Sequence, residues 1–166
     1  MRGSGIIVSS HPRGRFEEIV CLNATYPGTV MQLDPTIAPI GGRFTFEAAN
    51  RVDGSKGPNP VLVEDWNQGQ LAITVIAAGA HAQIYWPAAG EELNMLMRYH
   101  PGTGTSTDEN IGDLLEVDNT GMVTGVSSES GGTGAHVSAP FQLREHLTTA
   151  LTANTLVWCQ YLGDQA

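Results

Sequence analysis

Residues that turn a chain recur too often here for a long helix to fit between them. Tyr26-Pro27-Gly28, residues 34–42 with Pro35, Pro39 and Gly41-Gly42, Asp53-Gly54, Asn67-Gln68-Gly69, Gly79, residues 87–90, the Gly/Thr/Ser-rich stretch 101–110 and residues 118–121 lie roughly eight to twelve residues apart. The 20 glycines and 9 prolines among 166 residues supply these turns. Between them stand short apolar runs at 17–22, 29–33, 43–47, 60–64, 71–76, 83–86, 93–97, 111–117, 122–126, 137–143 and 156–162. Several alternate with period two, as strands do: Phe44 with Phe46, and Leu93 with Met95 and Met97. About ten short strands at this spacing predict an all-β chain, a compact β-barrel or sandwich.

Local signals add detail. The run 29–33 reads as the strand returning from 17–22 across the Pro27-Gly28 turn. Asp118-Asn119-Thr120-Gly121 reads as a hairpin turn between 111–117 and 122–126. Residues 144–153 are compatible with one or two helical turns. The expected core includes Val20, Leu22, Leu62, Ile84, Leu93, Met95, Leu115, Val157 and Trp158. Residues 1–15 read differently. They hold Gly3, Gly5, Pro12 and Gly14, one apolar trio, Ile6-Ile7-Val8, and three of the seven arginines, Arg2, Arg13 and Arg15. This composition predicts an extended N-terminal arm at 1–15 on a β-rich domain at 16–166. An apolar and basic arm on an acidic body fits attachment to something else.

Charge excludes several functions. Lys+Arg is 8 against Asp+Glu 17, a net charge of −9, and Lys56 is the single lysine. Nucleic-acid partners that need a cationic track are not expected. No apolar run has the length of a membrane span, and the first residues lack the apolar stretch of a signal peptide. The two cysteines, Cys21 and Cys159, are too few for a disulfide framework and read as small buried hydrophobes of a reducing compartment. A single bridge joining the first and last strands is the alternative.

The chemistry of enzymes is not legible. His11, His81, His100, His136 and His146 stand in no metal-binding spacing, so no metal or cofactor is expected. The carboxylates at Glu91-Glu92, Asp108-Glu109 and Asp113–Asp118 sit in or beside turns, where they read as solvated acids or as contacts for a basic partner. Neither a nucleophile elbow nor a phosphate-binding loop occurs. Of the three tryptophans, Trp86 and Trp158 lie in apolar strands and read as core, while Trp66 lies in a polar stretch and reads as exposed.

A resemblance goes further. Val61-Leu62-Val63-Glu64-Asp65 precedes Gln68-Gly69, then Ala77-Ala78-Gly79, a strand through Tyr85 and Trp86, and Pro87-Ala88-Ala89-Gly90-Glu91-Glu92-Leu93-Asn94. Ile111-Gly112-Asp113-Leu114-Leu115 follows, then the Gly121 hairpin and a closing strand through Leu156-Val157-Trp158. With Tyr26-Pro27-Gly28-Thr29-Val30 upstream, this order of turns resembles the head decoration, or capsid cement, proteins of tailed bacteriophages, over about residues 16–162. The segment 141–152 fits that pattern less well.

The resemblance implies a non-enzymatic structural protein on the outer surface of the virion. It would bind the major capsid protein, as a homotrimer, and stabilise the head lattice. Residues expected to touch the capsid are Arg2, Ile6, Ile7, Val8, Arg13 and Arg15 of the arm, with Trp66, Glu91 and Glu92 on the body. The same composition also suits a carbohydrate-binding or adhesin-like β module, which would expose coplanar aromatics. A small β-barrel enzyme of cupin type is a third reading and would need a histidine cluster.

Overall fold

The computed structural model describes residues 5–9, 11–50, 57–64, 73–98, 110–125, 139–147 and 153–163. Ten strands run through them: β1 Arg15–Cys21, β2 Met31–Leu33, β3 Thr45–Ala48, β4 Val61–Val63, β5 His81–Trp86, β6 Glu92–Met97, β7 Leu114–Val117, β8 Val123–Gly125, β9 Phe141–Leu143 and β10 Thr155–Tyr161. No helix occurs among the described residues, so the all-β expectation holds. Residues 144–147 are not helical, and 148–152 lie outside the described residues.

The strands form two sheets. One is a closed barrel in the order β10-β6-β8-β7-β9. The other has five strands in the order β2-β3-β1-β5-β4. That second sheet curls until its edges meet. Val30 bridges Val61, and the Met31 N–H donates to Pro60 O at 2.8 Å. Curling removes the exposed edges that invite aggregation.

Each sheet has its own core. Leu93, Met95, Leu115, Phe141, Leu143 and Val157 fill the barrel, and Val61, Val63 and Tyr85 join the same cluster from the other sheet. Ile19, Cys21, Met31, Phe46, Leu62 and Ile84 fill the curled sheet. The pleat explains the division, because Val61 and Val63 face the barrel while Leu62 between them faces the second core. Among the expected core residues, Leu22 and Trp158 are half-buried; the others are buried. Both cysteines are free and lie in different cores, so no bridge joins the first and last strands. Burial pushes the Cys21 thiol up to about 11.

Pairing departs from sequence order. The run 29–33 does not return along 17–22. Instead β3 lies between them, parallel to β1 at Val20↔Thr45 and antiparallel to β2 at Met31↔Ala48. The run 71–76 is not a strand where it is described. Ile73 and Val75 are exposed, and Ile76 makes one isolated bridge to Thr25. β-branched residues favour a strand only where a partner strand is at hand. The 118–121 turn does form. Gly121 has φ 76°, and the Asp118 carboxylate accepts from the Thr120 N–H at 2.7 Å and the Met122 N–H at 3.2 Å.

Gly28 joins the two sheets. Its N–H donates to Leu62 O of β4 at 2.8 Å, and its carbonyl accepts from the Leu96 N–H of β6 at 2.9 Å. Its φ is +87°, and a Cβ there would stand 2.9 Å from the Leu96 nitrogen. Gly28→Ala is expected to cost about 1–3 kcal/mol, the usual cost of a strained backbone position. A urea titration against the parent checks it.

Candidate functional site

The N-terminal segment lies on the body rather than standing off from it. Ile6 is fully buried in the barrel core, and Ile7 forms a bridge with Leu93 of β6. The backbone is tied on both sides. The Ile6 N–H lies 3.0 Å from both oxygens of the Glu64 carboxylate. The Asn94 N–H donates to Ile6 O at 2.7 Å, and the Val8 N–H to Glu92 O at 3.0 Å. Residues 6–8 thus lengthen the edge of β6 opposite β10, where β8 reaches only Met97. The expected arm boundary at residue 15 falls at the first residue of β1.

Two expected capsid contacts turn out to be each other's partners. Glu91 is 2% exposed, and its carboxylate accepts the Arg13 N–H. It also accepts the Ala88 N–H at 2.6 Å and the Tyr85 hydroxyl at 2.8 Å. The Tyr85 oxygen in turn accepts the Gly14 N–H at 2.7 Å, and the Arg13 guanidinium donates to Ala89 O at 2.7 Å. Burial pulls the Glu91 pKa up, but the donors from Arg13, Ala88, Tyr85 and Gly14 together outweigh it and hold the carboxyl below its ordinary value. Burial, and then the bond to Glu91, push the Tyr85 phenol up to about 12.

Ile6 and Glu91 therefore correct the expectation of surface contacts: both lie inside. The cause is long-range pairing, which brings the segment before β1 against the turn before β6. Glu92 and Val8 are half-buried, Arg13 is exposed, and Arg2 and Trp66 lie outside the described residues. Arg15 remains largely exposed, with its guanidinium 4.9 Å from the Trp86 ring centroid. Nothing local in the sequence marks Glu64, Tyr85 and Asn94 as partners of this segment.

A cavity of about 500 Å³ opens on the curled sheet. Met31, Phe46 and Trp86, which belong to or pack against the second core, line its inner part, and Phe44, half exposed, stands at its rim. Arg15, Glu17, Gln32 and Asn50 add polar groups. The Trp86 indole N–H donates to Glu17 Oε2 at 2.9 Å, and the same oxygen lies 3.9 Å from the Arg15 guanidinium. Trp86, expected as core, is thus both a packed residue and a cavity wall. Its neighbours come from four strands and loops, so sequence spacing carried no sign of them. A second apolar hollow involves Tyr26, Ile73, Leu96 and Leu156, and Tyr26, Ile73 and Val75 are exposed there or beside it in sequence. Among the described residues no group of His, Cys, Asp and Glu could hold a metal ion.

No protein-family model and no curated protein matches the sequence. Among solved structures, the fold is similar to the N base of the head fiber gp8.5 of bacteriophage phi29. The TM-score is 0.51 at 8% identity, over 92% of this chain and 98% of that one. At that identity the likeness is one of fold.

Proposed function

We propose that this chain is a structural protein of a bacteriophage head that decorates the outer surface of the capsid and stabilises its lattice. The observation that carries the reading is the near end-to-end likeness of fold to a head fiber base. The order of turns that resembles head decoration proteins supports it as well, because that order lies in the residues and not in the fold. On this reading the chain is not an enzyme, its partner is the major capsid protein, and it acts as a homotrimer. The exposed apolar side chains Tyr26, Ile73 and Val75 favour a molecule whose surface is partly covered when it works. Many copies on one lattice add avidity, so each contact can be modest.

Purified chain mixed with mature heads lacking it is expected to co-sediment with them and to saturate at a fixed number per capsid. Reconstructed heads would then show added density at symmetric outer positions. Absence of co-sedimentation by the folded chain would overturn the reading.

A further inference from the structure

We propose that the cavity between Trp86 and Phe44 is a binding site for a neutral saccharide ring. The inference rests on the cavity alone and does not depend on the head reading.

Size comes first. At about 500 Å³ the cavity falls within the range of small-ligand pockets, about 300–1,000 Å³. Ligand sites also favour the mouths of β-barrels, and the sheet that lines this cavity curls until its edges meet. Its wall chemistry then narrows the class. Trp86 and Phe44 provide flat apolar surface, which suits the C–H face of a pyranose. Around them stand a guanidinium, a carboxylate and two side-chain amides, from Arg15, Glu17, Gln32 and Asn50. Of these, Glu17 already accepts the Trp86 indole N–H, and the Gln32 amide donates to Glu47 and accepts the Asn50 N–H, and each keeps capacity for one more hydrogen bond. Hydroxyl groups, which both donate and accept, suit such a mixed polar rim.

Charge narrows it again. Arg15 and Glu17 put one cation and one anion at the same rim, 3.9 Å apart, so neither sign of ligand is favoured locally. The chain's net charge of −9 opposes a nucleotide or another phosphate ester. Preorganisation completes the case. The indole bond to Glu17 at 2.9 Å holds the Trp86 ring and the carboxylate in a fixed relation. A carboxylate accepts several hydrogen bonds, so Glu17 keeps capacity for a sugar hydroxyl. Arg15, with its side chain 72% exposed, can move off the Trp86 face and donate to the ligand.

Saturation-transfer NMR on the full chain tests the site. The probes are glucose, galactose, mannose and N-acetylglucosamine at millimolar concentration, with glucuronate and glucosamine as charged controls. Ring protons of at least one neutral sugar are expected to take up saturation. Glu17→Gln and Phe44→Ala are each expected to weaken binding about tenfold, the loss of one good contact. Circular dichroism confirms that both variants are folded, and Phe44 is exposed enough for its removal to be tolerated. No saturation of any neutral sugar, stronger binding of a charged control, or binding unchanged in both folded variants would each overturn the proposal.

Discussion

Glu91→Ala is expected to lower the folding free energy by about 3–5 kcal/mol, because several buried donors lose their acceptor at once and each costs about 1–3 kcal/mol. The Arg13 and Ala88 N–H groups and the Tyr85 hydroxyl all point at this carboxylate. Removing it also loosens the anchor of the segment before β1, since Gly14 is held through Tyr85. Urea unfolding at neutral pH measures the loss. A variant within about 0.5 kcal/mol of the parent, the range of ordinary surface changes, would show that the cluster does not hold the segment.

The same group sets a pH dependence. Its folded pKa is lowered, so the unfolded chain binds the proton more readily than the folded one. The stabilisation is then present above the unfolded carboxyl value, about 4.3. It is lost as the pH falls through the lower folded value. Glu91→Gln removes this titration. Its urea midpoint is expected to change less between neutral and acid pH than the parent's. Equal slopes would assign the acid sensitivity to other carboxylates.

Ile6→Ala is expected to cost about 2–5 kcal/mol, the range for a large aliphatic side chain removed from a core. Ile6 is fully buried among barrel residues, so little of that loss can relax. Removing residues 1–9 goes further, because it also takes away the bridge to Leu93 and the bonds to Glu64, Asn94 and Glu92. For a chain with an ordinary stability of about 5–15 kcal/mol, that truncation is expected to yield little folded protein. Thermal melting and size-exclusion chromatography of the two variants measure this. A stable truncated chain would show the segment to be dispensable packing. The result bears on function as well. Loss of head binding by a truncated chain reports unfolding unless the fold is checked first, so attachment is better tested with exposed substitutions such as Arg13→Ala.

The segment before β1 shows how far local reading reaches. Ile6-Ile7-Val8 reads locally as a short apolar piece among glycines and arginines. Composition cannot say what covers such a piece. Its cover includes β6, more than eighty residues away in sequence, which it meets through Asn94, and its backbone is also held by Glu64 just after β4. The carboxylate pair Glu91-Glu92 illustrates the same limit. Both look like solvated turn acids, yet Glu91 is buried because donors from Arg13, Tyr85 and Ala88 arrive together. The cavity was less legible still. Glu17, Gln32, Phe44 and Trp86 belong to separate runs, and only the curl of the sheet gathers them.

What the chain's residues determined by themselves is its class and its punctuation. Glycine and proline placed the turns, period-two runs placed the strands near their observed positions, and the Asp118–Gly121 turn formed where its residues demand it. These are local properties, set by backbone sterics and side-chain alternation within a few residues. Tertiary structure decided which strands are neighbours, why β3 enters between β1 and β2, and why the run ending at Ile76 has no strand partner. It also decided that an apolar N-terminal trio closes a barrel edge and that an acid in a turn becomes a buried anchor. The physical reason is that burial and hydrogen bonding are satisfied by whichever groups the whole fold brings within reach, and no window of sequence contains those distances.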